Sequence, residues 1–94
     1  MRYEWNPDKN KTNLEKHGIS FEEACQIFEN DVFTWNDERK DYKETRKISI
    51  GSLGDEVIIV VVHTDRKGIT RIISARPANK TERKLYYEHI KKTP

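Results

Sequence analysis

Cysteine occurs once in these 94 residues, at Cys25, which excludes an intramolecular disulfide and a zinc site built from several thiolates. The three histidines, His17, His63 and His89, lack zinc-motif spacing, so no metal is expected. Only four glycines are present, and no stretch forms the Gly-rich loop that cradles phosphates. No Ser-His-Asp constellation is evident, and no cofactor is expected. The longest apolar run, Val57–Val62, is far too short to cross a membrane. No signal peptide is visible, so a soluble cytoplasmic protein is expected. Apolar residues make up 34% of the chain against 36% charged. So thin a core must draw on β-branched runs, aromatics and a few helix positions, within one small domain over residues 1–94.

The strongest signal runs from Val57 to Ala78. Two β-branched runs flank Asp65-Arg66-Lys67-Gly68, which predicts a hairpin with a type I turn followed by a left-handed Gly. Val57–Val62 is apolar on both faces and reads as a central strand covered on both sides. The second run alternates. Strict alternation puts Ile69, Arg71, Ile73 and Ala75 on one face and Thr70, Ile72, Ser74 and Arg76 on the other. An arginine among isoleucines needs a partner or a wet groove.

Arg2–Trp5 reads as a short strand with Tyr3 and Trp5 on one face. Asn6 is a helix cap, with Pro7 at the first helical position; Gly18 ends that helix in the left-handed region, with Ile19 folding back on Leu14. Between Pro7 and His17 the only large apolar residue is Leu14. Lys9, Asn13 and Lys16 share a helical face. That face is either plain solvated surface or a polar stripe lining a site. Ser20–Glu23 is a capping box. Phe21, Ala24, Cys25 and Phe28 then form an apolar stripe, with Cys25 a buried thiol. Val32–Trp35 is extended, Tyr42–Ile50 reads as a strand with Arg46, Ile48 and Ile50 on one face, and Gly51–Asp55 is a turn. Asn79–Glu82 caps a last helix reaching about Lys92. The order is β-α-α-β-β-β-α: an α+β fold, an antiparallel sheet with helices packed on one face.

Net charge is +2, unevenly spread. Thr64–Pro94 carries nine Lys/Arg against three Asp/Glu, and Met1–His63 nine against thirteen. A basic C-terminal third points to a polyanion or to an ordinary solvated surface. Arg46, His63, Arg71, Arg76, Arg83 and Lys9 place basic groups on and beside the sheet. Such a set suits metal-free RNA cleavage, because RNA supplies its own nucleophile, the 2′-OH. The protein need only take that proton, hold the phosphorane charge and protonate the 5′-oxygen. The same groups also suit a non-catalytic basic module that binds RNA or an acidic protein.

Longer-range pattern narrows this. Glu4-Trp5-Asn6 with Lys9 and Asn13, Lys16-His17-Gly18 with Phe21-Glu22-Glu23-Ala24 and Phe28, Arg46, Ile50-Gly51, Val61-Val62-His63-Thr64, Arg71-Ile72-Ile73-Ser74-Ala75-Arg76 and Glu82-Arg83 follow one another in order. Together they resemble the BrnT family, the toxins of BrnT/BrnA type II toxin–antitoxin systems. The family usually has an acidic residue where this chain has Asn6, and often Arg where it has Pro77. The resemblance implies a RelE-like ribonuclease that inhibits translation. It also implies neutralisation by a BrnA-type antitoxin, a small DNA-binding protein through which the complex binds its own operator. An exposed strand or Trp35 offers a route to a homodimer within a toxin–antitoxin heterotetramer. A degenerate toxin that only binds its antitoxin is the alternative.

On that reading Arg71 and Arg76 stabilise the phosphorane, Arg46 positions the phosphate, and Lys9 and His63 are the proton-transfer candidates. Lys16, Lys80, Arg83 and Lys84 are expected to bind RNA. Structural alternatives stand beside these roles. His63 can bond to the turn, His17 can complete its helix end, Arg46 can pair with an acid across strands, and Arg76 can pair with Glu82 or cap the second helix.

Overall fold

Val57–Arg66 is the axis of the fold, a ten-residue strand hydrogen-bonded on both edges. The computed structural model describes residues 2–41, 43–54 and 56–92. The elements are β1 (Arg2–Glu4), α1 (Pro7–His17), α2 (Phe21–Ala24) running into a 3₁₀ turn at Cys25–Glu29, β2 (Phe33–Asn36), β3 (Arg46–Leu53), β4 (Val57–Arg66), β5 (Ile69–Pro77) and α3 (Lys80–Lys92). They make one five-stranded sheet in the order β1-β5-β4-β3-β2.

The α+β class and the sequence of elements follow the expectation, with three differences. Phe33–Asn36 is a full strand, because it pairs in register with Ile50–Lys47 of β3. β1 joins the sheet parallel to β5, where Glu4 stands beside Arg71. The helices cover both faces of the sheet, not one. Ile59, Val61, Ile72 and Ala75 pack against Phe21, Ala24 and Ile27 on one side. Ile48, Ile50, Ile58 and Val60 pack against Tyr86 of α3 on the other. A central strand apolar on both faces requires such double cover, since each exposed apolar face would forfeit about 25 cal/mol per Å². β3 is shifted from the expected strand Tyr42–Ile50: residues 43–45 lie outside it, and Gly51–Leu53, expected in the turn, pair with Ile59–Val57 of β4, so the ladder runs on to the chain reversal. Tyr42 and Asp55 themselves lie outside the described residues.

The caps form as read. Asn6 Oδ1 accepts from the amides of Asp8 and Lys9, and Gly18 closes α1 at φ 72°. Ser20 and Glu23 form the capping box, and Asn79 and Glu82 exchange side-chain-to-backbone hydrogen bonds at 2.8 and 2.9 Å. The 3₁₀ turn presses hard on β3. A Cβ at Gly51 would lie 2.7 Å from Ile27 Cβ, so glycine alone fits there.

The β4–β5 hairpin is tighter than expected. Strand pairing continues to Arg66–Ile69, leaving a two-residue loop. Lys67 and Gly68 both have positive φ, 54° and 82°. That is the primed turn, whose twist matches the flanking strands. Further along, the pairing slips. Val62 pairs Ser74 while His63 pairs Ile72, so Ile73 is an extra residue, a β-bulge.

α1 is held in an unusual way. Its one fully buried residue is Asn13, whereas Leu14 is 47% exposed. Asn13 Nδ2 donates to the carbonyls of Ile19 (2.9 Å) and Ala75 (2.8 Å), and Asn13 Oδ1 accepts from the Ala75 amide at 3.1 Å. A side-chain amide thus does for Ala75 what a neighbouring strand would do. Asn10 accepts from the Phe21 amide and donates to Glu22, tying α1 to α2. Asn10 and Asn13, both poor helix formers, thus join α1 to α2 and to β5.

Candidate active site: an arginine row on one sheet face

The bulge decides which basic groups meet. Residues 71 and 76 differ by five, so an even pleat would place Arg71 and Arg76 on opposite faces. With Ile73 inserted, Arg71 aligns with Thr64, Ser74 with Val62, and Arg76 with Val60. All three therefore share the face that carries Ile48 and Ile50, and Arg46, paired with Thr64, joins them. One cross-strand row reads Glu4–Arg71–Thr64–Arg46. The next reads Ser74–Val62–Ile48–Trp35.

Arg46 and Arg71 sit two strand spacings apart, roughly 10 Å between backbones. Guanidinium arms reaching in from both sides can converge on one phosphate. Both side chains are about a quarter exposed, at 28% and 27%. Arg71 Nη1 lies 3.6 Å from Glu4 Oε1, an ion pair longer than a hydrogen bond. Arg46 Nε lies 4.0 Å from Glu44, which also takes Arg66 at 3.1 Å. Glu4 and Glu44 were not among the expected site residues. Glu4 meets Arg71 through the β1–β5 register, and Glu44 lies on the loop two residues before Arg46.

Arg76 is committed more firmly. Its two terminal nitrogens each donate at 2.7 Å to a Glu82 carboxylate oxygen. That double hydrogen bond raises the Arg76 pKa and lowers that of Glu82. The pair clamps the first turn of α3 to β5, as the Glu82 alternative anticipated.

Beside the row is a cleft of about 290 Å³. Its floor is Ile48, Val60 and Val62, one wall is Trp35, and Ser74, Arg76 and Glu82 stand at its rim. Across from them Asp37, its side chain fully buried, accepts two 2.8 Å hydrogen bonds from Arg39. Lys80, Arg83 and Lys84 are exposed on α3 and extend the positive charge of this side.

The remaining expected residues lie elsewhere. Lys9 and Lys16 line a separate cleft of about 330 Å³ with His17, between α1 and the bulged part of β5. Ser74 borders both clefts. His63 is on the opposite sheet face from the arginines, 8% exposed, with Phe28 edge-on at 5.0 Å and Ser49 Oγ 2.7 Å from Nε2. Ser49 in turn meets Thr34 at 2.7 Å. The sheet therefore separates His63 from Arg46, Arg71 and Arg76. Cys25 is buried as expected, and burial together with Glu22 pushes its thiol up to about 11. Among the described residues no group of three or more His, Cys, Asp or Glu is placed to hold a metal ion. Nor is any helix among them long and apolar enough to cross a membrane.

Burial, and secondarily Lys47, lowers the His63 pKa to about 4. Unfolded, a histidine titrates near 6.5, so as pH falls the unfolded chain takes up the proton first. Full stability is present above pH 6.5 and is lost between pH 6.5 and about 4. The slope is at most about 1.4 kcal/mol per pH unit, roughly 3 kcal/mol in all. Urea melts of the parent and of His63→Gln from pH 7.5 to 4.5 check this. The parent should lose stability relative to the variant across that window. Parallel curves would show that His63 does not titrate there.

Comparison with known proteins agrees with this architecture. Residues 5–82 match the family described as ribonuclease toxin, BrnT, of type II toxin-antitoxin system. The fold is similar to that of the Brucella abortus ribonuclease toxin BrnT, with a TM-score of 0.64, 25% sequence identity, and coverage of 85% of this chain and 99% of that one. No curated protein sequence matches.

Proposed function

Because this chain belongs to the BrnT family of ribonuclease toxins from type II toxin–antitoxin systems, we propose that its arginine row is where RNA is held and cut. The observation that carries the proposal is the Ile73 bulge, which brings Arg71 and Arg76 onto the partly open face that also holds Arg46.

In this reading Arg71 and Arg46 grip the non-bridging oxygens of the scissile phosphate. The RNA 2′-oxygen attacks phosphorus as its proton leaves to a base. The bond to the 5′-oxygen breaks, and that oxygen takes a proton. The products end in a 2′,3′-cyclic phosphate and a 5′-hydroxyl. Charge accumulates on the phosphorane oxygens, and guanidiniums already aimed there stabilise it without reorganisation. That is the role a metal ion plays in other nucleases, which supports a metal-independent route. Arg76 acts through Glu82, fixing the first turn of α3 beside the cleft. Glu4 and Glu44, the carboxylates that approach Arg71 and Arg46, take the 2′-OH proton in this reading. His63 serves as a buried structural group. Lys9 and Lys16 hold the strand where it passes over the β5 edge at Ser74, and Lys80, Arg83 and Lys84 hold it on the α3 side.

The cognate partner is an antitoxin. A BrnA-type protein that covers the arginine row and carries the complex to its operator fits the family, and a toxin homodimer within the assembly accords with the partly exposed Trp35 edge.

The test uses antitoxin-free protein with an RNA and its all-deoxy twin in EDTA. RNA should be cut and leave cyclic phosphate ends, while the deoxy strand stays intact. Cleavage of both strands, or cleavage that EDTA abolishes, would overturn the 2′-OH route. Salt-sensitive binding of folded protein without scission would favour the binding-only module.

A further inference from the structure

We infer that the cleft beside the arginine row is a nucleobase pocket, in which the base next to the scissile phosphate stacks on Trp35. The inference rests on the proposed RNA-cutting role and adds what the site recognises besides phosphate.

Position is the first argument. Trp35 and Ser74 lie on the row immediately adjacent to Arg46–Thr64–Arg71. Adjacent rows on one face are two residues apart, about 7 Å. A base attached to a phosphate held by Arg46 and Arg71 therefore reaches the neighbouring row that carries Trp35.

Shape and chemistry are the second. The cleft encloses about 290 Å³, enough for one base, over an aliphatic floor. Nucleobases are flat and apolar on their faces but polar at their edges. The cleft offers both kinds of surface, with Trp35 as a flat wall over the aliphatic floor and Ser74, Arg76, Glu82 and the Asp37–Arg39 pair as polar groups around it. An inorganic anion would find an apolar floor, and an aliphatic side chain would leave the rim polar groups without exchange.

Bracing is the third. Phe33 lies 5.3 Å from Trp35, ring centroid to centroid, and stacks on His89 at 5.0 Å. The Trp35 ring is thus propped from the side by a second aromatic pair while still lining the cleft. A ring held before binding loses little freedom when a base stacks on it. Such stacking is tolerant of sequence, because every base has a π-face. The rim groups Ser74 and Glu82 then bias the choice among bases through its edge.

The test reads Trp35 directly. The chain has two tryptophans; Trp5 packs edge-on against Phe21 in the other core, so Trp5→Phe leaves Trp35 as the sole reporter. The probe is an uncleavable 2′-O-methyl tetranucleotide, compared with the same sugar-phosphate tetramer lacking bases. The intact tetramer should quench Trp35 emission and bind roughly 10–100-fold tighter than the abasic one. Trp35→Leu should bring the two affinities together. The abasic comparison on the Trp5→Phe protein stands even if Trp35→Leu fails to fold.

Equal, salt-sensitive binding of both tetramers with no quenching would overturn the pocket while leaving the arginine row as an RNA site. No binding of either tetramer would overturn both. Quenching by the cognate antitoxin but by neither tetramer would assign the cleft to the protein partner and overturn the inference.

Discussion

Arg71→Ala reduces RNA cleavage by about 10²–10³-fold while the protein remains folded. The magnitude is that of removing one preorganised donor from a site where charge develops in the transition state. Arg46→Ala falls in the same range. The double variant should lose less than the product of the two, because in the proposed site both guanidiniums hold one phosphate and act as a unit. Fold retention follows from the surroundings. The Arg71–Glu4 contact is 3.6 Å long and its carboxylate is 39% exposed. Partly exposed ion pairs of this kind are worth about 0–1 kcal/mol, so stability moves little. Arg71→Lys restores charge but not the two-pronged grip, and should recover only part of the rate. Single-turnover cleavage beside a thermal melt makes the measurement. An Arg71→Ala protein that melts normally and cuts RNA at the parent rate would remove Arg71 from the site.

Asn13→Leu lowers stability by about 3–5 kcal/mol, a large part of what a domain of this size has. Leucine is close in volume and prefers helix, so propensity alone favours the change. The loss arises from the three hydrogen bonds of the Asn13 side chain. The Ala75 amide and carbonyl and the Ile19 carbonyl are left unpaired in a buried place. Each such group costs about 1–3 kcal/mol. Asn13→Asp keeps the acceptor for the Ala75 amide but loses both donations and buries a charge, so it should be no milder. Urea midpoints at pH 7.5 give the comparison. A loss below about 1 kcal/mol for Asn13→Leu would mean that Ala75 finds another partner. Since Ala75 follows Ser74 and precedes Arg76, a loosened α1 should also lower cleavage before the protein unfolds.

These two sites were unequally legible in the sequence. Arg46 and Arg71 stood out as charges within β-branched strands. Asn13 looked like part of a polar surface stripe. Helix periodicity reports which residues share a face but not that the face abuts a strand edge, where a side-chain amide is worth more than a leucine. Leu14, the residue that hydropathy singled out, is exposed for the same reason. His63 misled in the opposite direction. Sequence position makes it a proton-transfer candidate or a strand-end histidine bonded to the turn, yet β4 continues past it to Arg66, Phe28 closes over it and its Nε2 meets Ser49.

The sequence by itself determined what depends on neighbours along the chain. Asn6, Ser20 and Asn79 cap helices because their side chains reach amides two or three residues on. Gly18 ends α1 because only its own backbone must turn left-handed. The apolar run in β4 demanded cover on both faces whatever supplied it. Only the tertiary structure decided which charges meet. Strand side chains alternate strictly, so one inserted residue reverses the face of everything beyond it. Ile73 is that residue, and nothing in its identity distinguishes it from Ile72. In the slipped register Ile72 and Ala75 both lie in the core with Phe21 and Ala24 of α2, and the Ala75 amide bonds Asn13. The consequence of the slip is that Arg71 and Arg76 share the face of Arg46, while His63 stays behind the sheet.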